Sequence, residues 1–313
     1  MKKTASSRAR RFFLLPLIAA LACAAFLFSC RHVGTVTQVG AAIGQATGVI
    51  GEETAGAIIR SGRAFERAFE DITPEQEYYI GRAVAATILT TYRLQENMPD
   101  LVAYLNLIGK TLVINSPRPE IFNGYRVNIL DSDEINAFAT PGGHIFLTRG
   151  LVASATSEDA LAAVIAHEIA HIQLQHGLRA IRNNRFTQAL LLTGTAAVGA
   201  TAGQDLSELV DIFSESVNEI VATLVTNGFS RAQEFEADTL AMELMALAGY
   251  QPSALIDMLR VLEVNQRGQP GGFNQTHPAP GDRIANAQRT ADGFAVPDTR
   301  SYREARFRAA VSF

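Results

Sequence analysis

At 313 residues, 48% of them hydrophobic, the chain can bury a sizeable core in one large domain or two small ones. Its 27 basic residues are outnumbered by 31 acidic ones, a balance that argues against nucleic acid as a partner.

Residues 1–29 read as an export signal. Lys2, Lys3, Arg8, Arg10 and Arg11 precede an almost unbroken apolar run, Phe12 to Phe28, which is too short and wrongly flanked for a membrane span. Arg10-Arg11 also resembles a twin-arginine signal, although arginine pairs are common in ordinary signals, so both export routes stay open. Leu27-Phe28-Ser29-Cys30 resembles a bacterial lipobox with Cys30 as the lipidated residue; Cys23 fits worse, with Ala20 where Leu is expected. The plainer alternative is a cysteine that merely follows a signal. Without the signal's five basic residues, 22 bases face 31 acids, a formal charge of −9. A lipidated Cys30 leaves no free thiol, so any metal site must be built from His, Asp and Glu.

Residues 30–62, rich in Gly, Ala and Thr, suit either a close-packing helix or a flexible tether. The body is expected over 63–290. Thr73-Pro74-Glu75-Gln76 predicts a capped helix start, and DLVAYLNLIGKTLVI predicts a second helix closed by Pro117 and Pro119. YRVNIL and HIFLT, the latter after Pro141-Gly142-Gly143, are the expected strands. Thr156 or Ser157 caps a long helix through EDALAAVIAHEIAHIQLQH, with Gly177 as its expected C-cap. The uncharged stretch 186–203 is compatible with dipping into a bilayer surface but better suits a buried helix or a mobile loop. Helices are predicted through DLSELVDIFSESVNEIVATLV, RAQEFEADTLAMELMALAGY and QPSALIDMLRVLEV, before a Gly/Pro-rich loop carrying His277. The tail, 291–313, has no readable function.

HEIAHIQLQH, 167–176, is the stretch that carries chemistry. Helical residues four apart lie about 40° apart on one face, so His167 and His171 can present ring nitrogens to one ion. Glu168 stands beside them, placed to reach a water without ligating, the arrangement of H-E-x-x-H. His176 lies about 140° round from His171 and about 180° from His167, so it is not the third ligand. Two imidazoles and a carboxylate in so apolar a helix need a reason to be buried, and a metal supplies one. The third ligand comes from another element: Glu234 and Asp238 share a helix face, whereas Glu236, about 200° from Glu234, points elsewhere. Glu234 can ligate while Asp238 accepts a hydrogen bond from the far nitrogen of a ligating histidine. Two histidines, a glutamate and a water make the catalytic kind of zinc site, and the expected reaction is peptide-bond hydrolysis with Glu168 as the base.

The blocks EQEYYIG (75–81), INAFATPGGHIFLTRGL (135–151), HEIAHIQLQHG (167–177), SRAQEFEAD (230–238) and THPAPGDRI (276–284) occur in one order. Together they resemble the HtpX-like zinc metallopeptidases, which include the CAAX prenyl proteases and several periplasmic lipoproteins. The resemblance implies an α+β, mainly helical, zincin-like fold with a small sheet beside the H-E-x-x-H helix. It implies one Zn2+ per chain on His167, His171 and Glu234, in agreement with the spacing. It also implies that Asn136, Ala137 and Phe138, with Gly142 and Gly143, form the edge that pairs with an extended substrate; the alternative is a hairpin needing its glycines only for the turn. His277 is implied near the site, either occupying the open zinc position as a removable inhibitor or steadying an oxyanion. Arg283 orients that loop or a substrate carboxylate, or is a surface arginine. With Arg31, not Asp, after Cys30, the lipobox points to an outer-membrane lipoprotein facing the periplasm. Members of that branch act on misfolded or unassembled outer-membrane proteins and their assembly machinery. The competing reading is a non-catalytic zinc lipoprotein that chaperones such chains; the presence of Glu168 favours the enzyme.

Overall fold

The computed structural model describes residues 72–179, 217–265, 272–277 and 280–311, with two isolated positions, Ala42 and Gln45. The expected signal, Cys30, the 186–203 stretch and, apart from Ala42 and Gln45, the expected 30–62 tether lie outside the described residues. Apart from Ala42 and Gln45, those described belong to one compact unit, Ile72–Ile181 with Leu206–Phe313, and none of their helices is long and apolar enough to cross a membrane.

Helix α1 (Pro74–Thr91) starts where the sequence predicts, with Thr73 and Gln76 forming a reciprocal capping box and Pro74 at the first turn. Helix α2 (Pro99–Val113) follows, then β1 (Arg126–Leu130), β2 (Ala137–Ala139) and β3 (His144–Thr148). Strand order is β1-β3-β2, with β1 parallel and β2 antiparallel to β3, so β2 is an edge strand. Period-two alternation then sorts side chains onto two faces. Val127, Ile129, Ala137, Ile145 and Leu147 join one core with α2 and the central helix; Leu130, Phe138 and Phe146 join another with Ile80, Val84 and Ile88 of α1.

The β2–β3 turn, Pro141–Gly143, is where glycine is required. Gly142 and Gly143 have φ of 72° and 101°, and their backbones press against Tyr78 and Gly124 respectively. From the other side, Gly81 of α1 is so close that an added Cβ would lie 1.5 Å from the Pro141 carbonyl oxygen. Gly81→Ala is expected to cost about 3 kcal/mol, the upper end of overpacking penalties because backbone and not side chain must yield. Chemical denaturation would register this as a lower midpoint at unchanged slope; a midpoint equal to the parent's would contradict it.

After α3 (Arg149–Ser154), the central helix α4 (Glu158–Gln173) is buried along its whole length, capped at Ser157. Alanines 160, 162, 163, 166 and 170 let neighbours approach closely, and α5 (Arg231–Leu247), α2 and α6 (Ala254–Asn265) pack around it. The expected C-cap at Gly177 is not found. The helix closes at Leu174, Gln175 takes a left-handed conformation (φ 55°), and Gly177 lies beyond, against Pro141 and Ile220. Residues 217–222 are helical and run into a π-helical turn, Thr223–Asn227. His277, expected in a loop, closes a short helix α7 (Phe273–Thr276), which is followed by α8 (Pro280–Ala291).

The tail offered nothing to sequence reading, yet residues Arg300–Ala310 form α9, which grips the first turn of α4. Arg303 donates to both oxygens of Asp159, from Nε at 2.9 Å and Nη2 at 2.8 Å, and Arg306 pairs with Glu158. Tyr104 and Tyr250 also donate to Glu158, at 2.7 and 3.0 Å. Burial alone would raise the pKa of Glu158, but Arg306 and the two tyrosines override it and hold the carboxylate ionised.

Candidate metal centre

The i, i+4 spacing places His167 and His171 one turn apart on α4, with their Nε2 atoms 3.0 Å from each other. Helix α5, capped by Ser230 and Gln233, brings in Glu234, whose Oε2 lies 3.6 Å from His167 Nε2 and Oε1 3.5 Å from His171 Nε2. From the end of α7, His277 puts Nδ1 3.2 Å from His167 Nε2 and 3.1 Å from Glu234 Oε1. One ligating atom from each of the four lies within 4.8 Å of the others. Tetrahedral zinc with bonds of 2.0–2.1 Å separates its ligand atoms by about 3.3 Å, so the cluster has the right size.

The hydrogen bonds say which nitrogens face inward. His167 Nδ1 donates to Asp238 Oδ1 at 3.0 Å, which leaves the Nε2 lone pair for the centre. Arg283 forks onto Asp238, Nε to Oδ2 at 2.8 Å and Nη2 to Oδ1 at 2.6 Å, and places Nη1 2.9 Å from Glu234 Oε2. Its Nη2 also comes within 3.3 Å of His167 Nδ1, but a guanidinium accepts nothing; that approach follows from both groups donating to Asp238 Oδ1.

Charge completes the fit. Glu168, Glu234, Asp238 and Arg283 are at most 1% exposed, and three carboxylates against one guanidinium leave a formal deficit of two positive charges. A divalent cation matches that deficit. Burial raises the pKa of Glu168, and neither of its oxygens has a hydrogen-bond partner among the described residues. Glu234 is pushed the other way: burial would raise it, but Arg283 and His277 hold it well below the usual carboxylate range. Burial pulls His171 well below its ordinary value, whereas in His277 the Glu234 and Glu168 carboxylates outweigh burial and raise it.

Every residue expected at the centre is therefore there: His167, Glu168, His171, Glu234 and Asp238, with His277 and Arg283 also buried against it. Arg283 is no surface arginine. The strand residues lie nearby but not in the cluster. Asn136 is buried and bonded to Thr148 and Thr276, Ala137 and Phe138 lie on β2 beside α4, and Gly142 and Gly143 sit in the packed turn. Sequence reasoning missed two stacked phenylalanines, Phe229 on His171 (centroids 4.0 Å apart) and Phe273 on His277 (4.2 Å). It also missed His176 beside the far nitrogen of His171 (2.8 Å), because the left-handed Gln175 breaks the helical angle from which its position was reckoned.

Comparison with known proteins agrees with this architecture. The β-barrel assembly-enhancing protease of Yersinia pestis is 30% identical over 206 residues, covering 65% of this chain and 41% of that protein. A mitochondrial metalloendopeptidase of Schizosaccharomyces pombe is 25% identical over 222 residues (70% and 62%), and the metalloprotease LoiP of Escherichia coli 28% over 176 (55% and 66%). The chain thus spans less than half the length of the assembly-enhancing proteases it matches. The model of peptidase family M48, a family of zinc-dependent metallopeptidases, matches residues 79–291, and by that match across most of its length the chain belongs to peptidase family M48.

Proposed function

We propose that this chain is a zinc metalloendopeptidase of the bacterial envelope, lipid-anchored at Cys30 and facing the periplasm, acting on misfolded or unassembled outer-membrane proteins. The observation that carries the catalytic reading is Glu168: a buried carboxylate with no hydrogen-bond partner among the described residues, set against a cluster of three histidines and a glutamate. A site built only to hold metal has no need of it. The names of the β-barrel assembly-enhancing relatives support the substrate class and contact with assembly machinery.

His167, His171 and Glu234 would hold the zinc, which would supply a Lewis acid to polarise a substrate carbonyl and acidify water. Glu168 accepts a proton from the attacking water as its oxygen bonds to the carbonyl carbon, and delivers that proton to the amine nitrogen as the C–N bond breaks. Asp238 fixes the tautomer of His167, and Arg283 holds Asp238 and Glu234 in place. Strand β2 binds the substrate backbone. The bonds Thr140 N–H to His144 O and Thr148 N–H to Asn136 O face β3, so the backbone groups of Ala137 and Ala139 turn away from β3, where the buried Ala137 N–H now donates to Asn136 Oδ1 at 2.9 Å.

The second reading, a latched zinc protein acting as a chaperone, has its own observation. His277 supplies the fourth ligating atom, and its segment bonds the start of the edge strand, Phe273 N–H to Ile135 O at 2.9 Å and Thr276 Oγ1 to Asn136 Oδ1 at 3.2 Å. We read His277 as a removable latch. In the soluble Cys30→Ser chain, zinc content and cleavage of unfolded casein are measured beside a His277→Ala variant. Chelator-sensitive cleavage that rises in the variant supports enzyme and latch together. Cleavage lost in the variant assigns His277 to the transition state, equal cleavage removes both roles, and zinc with no cleavage in either chain leaves the chaperone.

A further inference from the structure

His176 and Glu236, which take no part in the four-residue cluster, are connected to it in series. His171 Nδ1 lies 2.8 Å from His176 Nδ1, His176 Nε2 lies 3.2 Å from Glu236 Oε2, and Arg179 Nη1 donates to that same oxygen at 2.9 Å. His176 is buried, while the Glu236 side chain is 47% exposed. The proton placement along this line is forced. With Nε2 of His171 turned to the metal, its remaining hydrogen is on Nδ1. Two ring nitrogens 2.8 Å apart share one hydrogen, so His176 Nδ1 is the acceptor. The hydrogen of His176 is then on Nε2, where a carboxylate oxygen receives it.

We infer that His176 and Glu236 are positioning residues for the metal centre, a hydrogen-bonded line that fixes the tautomer and orientation of His171 from the protein surface. It is the counterpart, for the second histidine, of Asp238 for the first, with an imidazole inserted between ligand and carboxylate. A hydrogen bond to the far nitrogen makes the near nitrogen a better donor and holds the ring plane, and losing such partners typically weakens metal binding about 10–100-fold. Because the line ends on an exposed carboxylate shared with Arg179, a change at the surface reaches a fully buried ligand. Phe229, stacked on His171, holds the ring from its face but offers no polar contact, so among the described residues it is His176 that meets the Nδ1 hydrogen.

This inference rests on the zinc site proposed above. The test uses the full chain with Cys30→Ser and zinc affinity measured by competition with a chromophoric chelator, together with the visible spectrum of the cobalt-loaded protein. Parent, Glu236→Ala, His176→Ala and His176→Asn are compared. His176→Ala is expected to bind zinc about 10–100-fold more weakly and to alter the cobalt bands, and Glu236→Ala is expected to act in the same direction to a smaller extent. His176→Asn, whose amide oxygen can accept from His171 Nδ1, is expected to restore most of the loss. Removing an exposed glutamate leaves the fold intact, so Glu236→Ala remains informative if His176→Ala fails to fold. Unchanged zinc affinity and cobalt bands in Glu236→Ala and in folded His176→Ala, with a parent that binds zinc, overturn the inference alone. A parent that binds no zinc overturns the site reading as well.

Discussion

Glu168→Gln is expected to bind zinc as the parent does and to cleave unfolded casein about 10²–10⁴-fold more slowly, the usual contribution of a positioned acid–base group. Glutamine keeps the size of the side chain but cannot take a proton. The surroundings of Glu168 support this. Burial raises its pKa, and among the described residues its oxygens accept no hydrogen bond, His277 Nε2 standing 3.6 Å from Oε1. The substitution also removes a buried charge without opening a cavity, so folding and metal content should survive it. Zinc-loaded Glu168→Gln with activity within about threefold of the parent would leave Glu168 without the role given to it here.

Arg283→Ala is expected to show the largest stability effect of any single change at the site, about 3–5 kcal/mol, the typical result of removing one partner from a buried ion pair. Arg283 is 1% exposed and meets Asp238 and Glu234, which are fully buried. Without it, the partners left to both carboxylates among the described residues are histidines. The loss should be greatest in metal-stripped protein and partly offset by zinc, since a divalent cation supplies charge to the same carboxylates. Arg283→Lys should rescue little, because an ammonium cannot fork across Asp238 and still reach Glu234. Denaturant melts with and without zinc measure both points; a metal-free loss under about 1 kcal/mol would contradict this account.

Spacing alone carried the sequence far into this site. His167, His171, Glu234 and Asp238 were legible because ligation and orientation follow the four-residue step of a helix, a local property. Glu236 was correctly set off the centre for the same reason. His277 and Arg283 were not legible that way. They lie 110 and 116 residues beyond His167, on elements whose approach only the tertiary fold decides, and only family resemblance drew attention to them. The strands were visible as alternation, but the insertion of β3 between β1 and β2 was not, since pairing order leaves no mark on a strand's own pattern. Arg303 and Arg306 looked like tail charges because their partners, Asp159 and Glu158, are 144 and 148 residues away.

The spread of the site along the chain also governs when it can exist. A ribosome adding about 5–20 residues per second needs roughly 6–23 s to extend the chain from the first histidine to Arg283. Glu168 is present throughout that interval, Glu234 joins partway through it and the Arg283 guanidinium comes last, so a partly made chain lacks the complete centre. Truncation anywhere between those residues has the same result. A metal centre that cannot assemble before nearly all of its domain has been delivered poses little hazard to the machinery that makes it.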